Sequence, residues 1–210
     1  MNLRRGHRPG FAHSESVLVD APADRVFAQV ADLRAHPRLA GSGEVRAIRV
    51  PDSEPLRVGT RFEADEVIRI GPFQRNLTAR SEVVEHEPPA VLSWTSRPTS
   101  GPKPKRIQWW FRLSRVGPNR TRVVHDVEVD FGFGLNALVG VPYRLARRRS
   151  ARRGMAQTLK HLAHAATTTE RMAVDASSDA IGVATGGRDG RPAPRPPLGG
   201  TPSHRSTVNT

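Results

Sequence analysis

Three ionisable side chains fall on strand or helix faces that are otherwise apolar, and they are the first candidates for chemistry. His125 interrupts one alternating apolar series, and Glu66 interrupts an earlier one. Arg152 falls among apolar residues of a long helical stretch, with Arg149 at the edge of the same stripe. Burying an ionisable group is costly unless it is paired, so we expect these groups to line an internal site.

Each of these residue types suits a role in such a site. Arg152 could hold a carboxylate or enolate oxygen of a ligand, and His125 could act as a general acid or base if its pKa stays near neutrality. Glu66 could orient either of them. His125 and Arg152 are therefore the candidate catalytic residues.

Two structural alternatives stay open for the same residues. Glu66 and an arginine could form a structural ion pair, with His125 hydrogen-bonded in the core. Alternatively, Pro142 or Gly154 could shift the phase of the helix and turn Arg152 towards solvent.

The elements that would position these residues follow from hydrophobic periodicity. Residues 14–20 predict a strand, 21–33 a helix and 35–39 a short turn. Alternation with period two then predicts strands at 44–50, 60–70, 75–86, 90–97, 106–116 and 120–131. Consecutive strands with short connections favour an antiparallel sheet.

One long helix follows the last strand and is the element available to cover the apolar face of the sheet. Residues 135–139 form a short apolar turn, and Pro142 restarts a helix that runs to about Ala166. The predicted apolar stripe consists of Leu145, Ala156, Leu159 and Ala163. These elements predict an α+β fold with a curved antiparallel sheet around the helix and a cavity between them.

The inward positions of this arrangement predict the ligand contacts. They are Trp94, Trp109, Phe111, Val127 and Leu159, beside the polar Glu66, His125, Arg149 and Arg152. Tyr143 falls near the cavity entrance, where it could hydrogen-bond a ligand or simply pack. Trp110 alternates to the outer face, where we expect partial exposure.

The formal charge of +13 is unevenly distributed, and a positive field of this kind attracts anions. Residues 135–166 hold seven basic residues and no acidic residue. The cluster at 147–153 could be a solvated helix face. It could instead contact anionic lipid, together with the apolar stretch 135–141. Nucleic-acid binding ranks third, because no recognised nucleic-acid module accompanies the cluster.

Several classes of protein are excluded or disfavoured. The chain has no Cys, which excludes a disulfide framework and a thiolate metal site. No apolar run reaches the ~18–20 residues that a membrane span needs. Residues 1–12 lack the apolar region of a signal peptide, which predicts a soluble cytoplasmic protein. His161 and His164 lack a third metal ligand, and the G-x-G-x-x-A pattern at 132–137 lacks a βαβ unit. The sequence therefore predicts neither a metal nor a cofactor.

Four short motifs, in this order and spacing, resemble the START-like (SRPBCC) superfamily. They are VDAPADRVF at 19–27, VGTRF at 58–62, EHEPP at 85–89 before LSW, and LKHL at 159–162. Within the superfamily the chain is similar to the polyketide cyclase/dehydrase and lipid-transport-type families over residues 14–166. The resemblance implies a helix-grip fold around a hydrophobic cavity. Residues 1–13 are predicted to form a flexible arm and residues 167–210 a disordered Pro/Gly-rich tail.

Function varies within this fold, so we expect binding of a small hydrophobic ligand, lipid or polyketide-like, that can carry an anionic group. The alternative is a polyketide aromatase/cyclase or dehydratase that uses His125 and Arg152. Because no complete catalytic set of a cyclase matches the chain, binding without catalysis is favoured. A third alternative is an interaction protein that associates with anionic membranes through the basic helix.

Overall fold

Seven antiparallel strands form one open sheet in the part of the chain that the structure describes. The computed structural model describes residues 9–51, 55–70, 73–100, 104–132 and 135–185. The strands are β1 Phe11–Val19, β2 Val45–Arg49, β3 Arg61–Ile70, β4 Phe73–Glu87, β5 Val91–Pro98, β6 Arg106–Gly117 and β7 Arg120–Asp130. The helices are α1 Ala23–Ala31, α2 His36–Leu39, α3 Leu135–Leu138 and α4 Gly140–Thr185, with a 3-10 turn Leu33–Ala35 before α2.

The order of the strands in the sheet is β1-β7-β6-β5-β4-β3-β2. Strands β2 to β7 therefore follow one another as neighbours, which confirms the antiparallel sheet predicted from the short connections. β1 closes the far edge by pairing with β7, with Ser14 opposite Asp126. The helix-grip architecture predicted from the sequence is confirmed: the long helix α4 packs on the inner face of the open sheet.

The first strand begins at Phe11 rather than at residue 14, so the predicted boundary of the N-terminal arm is wrong. Phe11 pairs with Val129 and is 4% exposed. The inward positions between Phe11 and Val17 are His13 and Glu15, which hydrogen-bond to each other at 2.9 Å. These two polar residues interrupt the apolar alternation, so the pattern did not extend the strand to Phe11. Residues 1–8 of the predicted arm lie outside the described residues.

Helix α4 continues to Thr185, so the predicted end near Ala166 is wrong. Residues 167–185 contain several alanines and no proline, and a helix can continue through such a sequence. The glycines and prolines that suggested a tail lie mostly from Gly186 onward, outside the described residues. The chain divides into two compact units, Met1–Met172 and Ala173–Thr210, and all seven strands belong to the first.

The hydrophobic core lies between the sheet, α1 and the middle of α4. Val26 and Val30 of α1 and Leu162 of α4 are fully buried. They meet inward residues of the sheet such as Leu92 and Val123, which are also fully buried. Each such side chain contributes about 1.5–3 kcal/mol relative to exposure. Among the described residues, no helix is both long and apolar enough to cross a membrane.

Two glycines let the loop between α2 and β2 approach α4 closely. A Cβ on Gly41 would lie 2.3 Å from the Cβ of Gln157, and one on Gly154 would lie 3.0 Å from the Cβ of Ser42. The Gly41 amide donates a 2.9 Å hydrogen bond to the Thr158 hydroxyl. Gly154 therefore permits close packing here, and the loop that it admits brings Glu44 to the cavity.

Candidate functional site

A cavity of about 180 Å³ lies between the inner face of the sheet and α4. Strands β3, β5, β6 and β7 and helices α2 and α4 all contribute side chains to its wall. At about 30 Å³ of liquid volume per water, this space corresponds to roughly six waters, which suits a small, compact organic molecule. Its lining differs between two regions, one aromatic and one charged.

Five rings line the aromatic end of the cavity. They belong to His36, Trp94, Trp109, Phe111 and His125. Sheet register brings four of them together, because Trp94 is opposite Trp109 on β5 and β6, and Phe111 is opposite His125 on β6 and β7. The Trp94 and Trp109 rings stack with centroids 6.5 Å apart, and the Phe111 and His125 rings are 4.1 Å apart with planes within 3°. Such contacts add to the stabilisation that ring burial already provides.

His125 is a neutral imidazole with a defined tautomer. Its Nδ1 lies 2.9 Å from the Trp110 carbonyl oxygen, which can only accept, so Nδ1 carries the hydrogen and donates it. Burial lowers the pKa of His125 to about 4, although the bond to the Trp110 carbonyl acts in the opposite direction. His125 lines the cavity, and the unprotonated Nε2 is the hydrogen-bond acceptor of its ring.

His36 is a second buried imidazole at the aromatic end. It comes from α2, and its Nε2 donates a 2.7 Å hydrogen bond to the Val30 carbonyl of α1. Its ring centroid lies 5.5 Å from Trp94 and 6.3 Å from Phe111. Burial lowers the pKa of His36 as well, so both imidazoles of this end are uncharged near neutral pH.

The charged end of the cavity consists of Glu44, Glu66, Tyr143 and Arg147. The Arg147 guanidinium donates two 2.8 Å hydrogen bonds, one to each carboxylate oxygen of Glu44. The Arg147 and Glu44 side chains are only 15% and 19% exposed. This bidentate geometry and the hydrogen bonds to Glu44 hold the pKa of Arg147 above its ordinary value. The guanidinium therefore stays charged and its principal partner is a residue of this chain.

Glu66 faces the same end from β3 and titrates near neutrality. Burial raises its pKa to about 7, and the Glu44 carboxylate acts in the same direction, whereas Arg147 acts in the opposite direction. With its pKa raised into this range, Glu66 can either donate or accept a hydrogen bond near neutral pH. A carboxyl group with such a pKa is suited to proton transfer.

Tyr143 contributes a neutral phenol to the charged end. Burial raises its pKa, against the opposing effect of Arg147 one helical turn along α4. Its ring packs edge-on against Phe11 at 5.8 Å and against Phe131 at 5.2 Å. The ring is thus fixed by packing, while the residue also lines the cavity.

Comparison with known proteins identifies the family of this chain. Residues 11–167 match the family described as polyketide cyclase / dehydrase and lipid transport. The chain belongs to this family. A relative from Mycobacterium tuberculosis, the uncharacterized protein Rv0088, is 38% identical over 116 residues, which are 55% of this chain. The chain spans about half the length of that relative, since the match covers 46% of it.

Two solved structures illustrate the shared fold. TTHA0849 from Thermus thermophilus has a TM-score of 0.54 and 18% identity, and the match covers 75% of this chain and 98% of that one. The Zhui aromatase/cyclase from Streptomyces sp. R1128 has a TM-score of 0.50 and 15% identity, with 75% and 93% covered. At this identity the likeness shows the fold alone. Family and fold together indicate a ligand-binding or polyketide cyclase-type protein.

Seven of the ten ligand contacts expected from the sequence of this family member line the cavity. They are Glu66, Trp94, Trp109, Phe111, His125, Val127 and Tyr143. Six of them lie on strands, where alternation leaves only two faces to choose between. Leu159 is instead fully packed in the core, outside the cavity wall.

The placement of Arg152 and Arg149 at the cavity is wrong. Both side chains are exposed, and the Arg152 side chain is 76% exposed. Its Nε lies 3.8 Å from the carboxylate of Glu15, a partly buried residue of β1. The alternative in which Arg152 faces solvent is therefore the one that the geometry supports, and Arg152 is no candidate for catalysis inside the cavity.

The cause is an error of phase in the predicted helix stripe. Leu145, which anchored that stripe, is 77% exposed. The face that packs inward carries Tyr143, Arg147, Ala151, Met155 and Leu159. Leu159 belongs to both the predicted stripe and this face, so the error of phase lies in the N-terminal part of the stripe, at Leu145 and Arg152. An arginine, a glycine and a threonine on the inward face weakened its apolar signal.

Sequence reasoning missed the arginine that does reach the cavity. Arg147 belongs to the basic cluster at 147–153, and its residue type does not distinguish it from the other arginines there. The i, i+4 spacing of Tyr143, Arg147, Ala151 and Met155 is the signal that could have identified this face. His36 and Glu44 carried no comparable signal, because their placement depends on how α2 and the following loop pack.

Trp110 is buried, so the expected partial exposure is wrong. It lies on the outer face of the sheet as alternation predicts, yet is only 8% exposed. The Arg112 guanidinium covers its ring at 5.0 Å, and its indole Nε1 donates to Glu85 at 3.4 Å. A cation–π contact on this face thus provides the cover that the sequence pattern did not reveal.

Within the described ranges, no group of three metal-ligating side chains comes together. Of the two histidines at 161 and 164, His161 is engaged with Gln157 at 2.8 Å and with the Leu39 carbonyl at 3.2 Å. His161 thereby helps to fix α2 against α4.

Proposed function

We propose that this protein binds a small, largely apolar ligand that carries a hydroxyl or carbonyl group. The observation that supports this function is the separation of the cavity lining into an aromatic end and a charged end. The aromatic end offers ring surface for the body of the ligand, and apolar contact drives its burial. The charged end and His125 offer a few fixed polar groups, which would orient it.

The charged end favours a neutral oxygen group over a carboxylate. Arg147 is already engaged by both oxygens of Glu44, so a ligand carboxylate would have to compete with that ion pair. A hydroxyl group can instead donate to Nε2 of His125, and a carbonyl oxygen can accept from protonated Glu66 or Tyr143. A hydroxylated or keto-bearing lipid, or a polyketide-like molecule, has this combination of groups.

Ligand binding can be tested by filling the cavity from α4. Ala151 lines the cavity, whereas Ala146 on the same helix is exposed, so Ala151→Phe and Ala146→Phe form a matched pair. Native mass spectrometry of protein purified without denaturation should show a bound small molecule in the wild type and in Ala146→Phe. Titration with the neutral fluorescent ketone 6-propionyl-2-dimethylaminonaphthalene should quench the emission of Trp94 and Trp109 in those two proteins.

In Ala151→Phe, both the co-purifying mass and the quenching should fall by about tenfold or more, since one aromatic ring takes a large share of the cavity. Equal binding by Ala151→Phe and Ala146→Phe would contradict binding at this site. Repeatedly empty spectra together with no response to the neutral ketone would contradict the function itself.

A second function, proton-transfer chemistry of the polyketide cyclase or dehydratase type, is supported by one specific observation. Glu66 combines a pKa of about 7 with a position on the cavity wall. His125 is a weak base because its pKa is about 4, so Glu66 is the stronger candidate for the group that moves a proton. The fold of the Zhui aromatase/cyclase is compatible with such chemistry.

The enzymatic alternative can be tested with a synthetic β-hydroxy ketone, whose dehydration to the conjugated enone is followed by absorbance. We expect Glu66→Gln to lower turnover by about a hundredfold or more, and the rate of the wild type to follow the ionisation of a group near pH 7. If the wild type gives no enone above background, or if Glu66→Gln retains full turnover, this second function is wrong.

A further inference from the structure

The outward face of α4 combines exposed aliphatic side chains with exposed arginines. The apolar members are Leu138, at the end of α3, and Val141 and Leu145 of α4, which are 74%, 48% and 77% exposed. The basic members are Arg148, Arg149 and Arg152, all exposed. We call these six residues the outer patch. Large aliphatic side chains at this exposure, grouped along one helix face, are unusual on a protein surface that only meets water.

The positive charge of the outer patch is mostly uncompensated. Arg152 contacts Glu15 at 3.8 Å, while Arg148 and Arg149 form no ion pair with the described residues. No acidic residue occurs between 135 and 166. The one arginine in the described part of this helix with a close bidentate partner is Arg147, which points to the cavity instead.

We propose that the outer patch docks this protein onto an anionic lipid bilayer. The aliphatic side chains would enter the boundary between headgroups and acyl chains, while the arginines would meet anionic headgroups. This is the arrangement by which interfacial helices bind membranes, and it uses both halves of the patch. The bound helix lies in the plane of the surface and does not cross it.

Two other partners use only part of the patch. Nucleic acid would engage the arginines through phosphates, but the patch has no aromatic ring on which a base could stack, and Leu138 and Leu145 would stay in water. A second copy docked about a twofold axis would place arginines against arginines, which costs binding energy. A bilayer satisfies the leucines and the arginines together.

The position of the patch also relates it to the cavity. Tyr143 and Arg147 line the cavity from one face of α4, and Leu145 and Arg148 lie on faces turned away from it. The bilayer would therefore lie about one helix diameter, roughly 10 Å, from the cavity wall. Docking itself requires no ligand, so it can be tested independently of the proposed function.

The first experiment is co-sedimentation of the full chain with phosphatidylcholine vesicles, with and without phosphatidylglycerol. We expect binding to the anionic vesicles that weakens as salt is raised, and little binding to phosphatidylcholine alone. Arg148→Glu with Arg152→Glu should lower this binding by about tenfold or more. The matched control, Arg97→Glu with Arg122→Glu, reverses two exposed strand arginines and should retain most of it.

The second experiment exploits the absence of cysteine from the chain. Leu145→Cys, labelled with an environment-sensitive nitrobenzoxadiazole dye, should shift to the blue on anionic vesicles. Val116→Cys is the control, because Val116 is 58% exposed and lies at the far end of β6. Ile107, near the other end of β6, packs in the same cluster as Tyr143 at the start of α4. Val116 is about 30 Å along the strand from Ile107. This readout does not depend on a charge-reversal variant that could fold poorly.

The proposal is overturned by equal binding to vesicles with and without phosphatidylglycerol. It is equally overturned if both double reversals weaken binding alike, or if the dye responds the same at positions 145 and 116. Tight, salt-sensitive binding to a single-stranded oligonucleotide without vesicle binding would assign the patch to nucleic acid instead.

Discussion

Both ends of the cavity bury ionisable groups, yet burial has opposite effects on their protonation. At the aromatic end, burial lowers the pKa of His125 to about 4. At the charged end, burial raises the pKa of Glu66 to about 7. In both cases a low-dielectric environment disfavours the charged form. The neutral form of an imidazole has lost a proton, whereas the neutral form of a carboxyl group has kept one.

This difference gives the cavity two distinct hydrogen-bonding characters. The aromatic end presents an acceptor, Nε2 of His125, whose state is constant across neutral pH. The charged end presents Glu66, which changes from donor to acceptor around pH 7, beside a permanently charged Arg147. Variants that remove one group at a time can break or sharpen this contrast.

The largest effect is expected from Arg147→Met, which removes the cation of the charged end. It leaves the Glu44 carboxylate only 19% exposed and without its partner, close to Glu66. Removing one member of a buried pair is strongly destabilising, and with this partial exposure we expect a loss of about 2–3 kcal/mol in the free energy of unfolding. Urea denaturation near pH 8 would measure it.

The matched control for this change is Arg148→Met, the next residue on the same helix, whose side chain is exposed. It should alter the free energy of unfolding by no more than about 0.5 kcal/mol. Equal effects of the two substitutions would show that the Glu44–Arg147 pair does not hold the charged end together. The double variant Glu44→Gln with Arg147→Met should recover part of the loss.

A smaller effect, with a characteristic pH dependence, is expected from Glu66→Gln. The folded pKa of about 7 lies above the ordinary value of 4.5, so the folded state keeps a proton that the unfolded state releases. This contribution to stability is fully present below pH 4.5 and is lost as the pH rises through 7. Allowing for partial exposure, wild type should lose about 2 kcal/mol more than Glu66→Gln across this window.

Urea denaturation of both proteins at several pH values gives the comparison, because other titrating groups are common to the two and cancel. Parallel stability curves for wild type and Glu66→Gln would mean that Glu66 is not held protonated by its surroundings. A crossing in the opposite direction would mean that Arg147, rather than burial, dominates its ionisation.

The smallest effect is expected from His125→Phe at neutral pH. The ring stack with Phe111 can be retained, and the main loss is the hydrogen bond to the Trp110 carbonyl, about 1 kcal/mol. In wild type the lowered pKa of His125 supports stability above pH 6.5, and this support is lost as the pH falls through about 4. Thermal unfolding near pH 7 and near pH 5 should therefore show the penalty of His125→Phe shrinking with acidification. A penalty that grows on acidification would place the charged imidazole, not the neutral one, in the folded protein.

The aromatic end was largely predictable from the sequence, whereas of the charged end only Glu66 and Tyr143 were predicted. Trp109, Phe111 and His125 lie on strands, where each side chain has only two faces available and a short alternation identifies the inner one. Glu66 was found by the same rule. The antiparallel register then brings these residues together with no further information than the strand order.

The charged end depends on a helix phase and on a contact that is distant along the chain. A helix can present any of its faces, so one misplaced anchor, Leu145, turned the N-terminal part of the predicted stripe and exchanged Arg147 for Arg152, while Leu159 of the same stripe lies in the core. Glu44 and Arg147 are 103 residues apart in sequence. Their meeting requires the close approach of the α2–β2 loop to α4 at Gly41 and Gly154.

The sequence by itself therefore determined the strand sequence, the helix-grip architecture and the inward positions of Glu66 and His125. These properties depend on local alternation and short connections, which involve residues that are close together in the sequence. Only the tertiary structure decided which arginine enters the cavity and which ones face outward. It also decided that His125 is held neutral and that Glu66 titrates near neutral pH, because desolvation and charge pairing depend on neighbours that the chain brings together only when it folds.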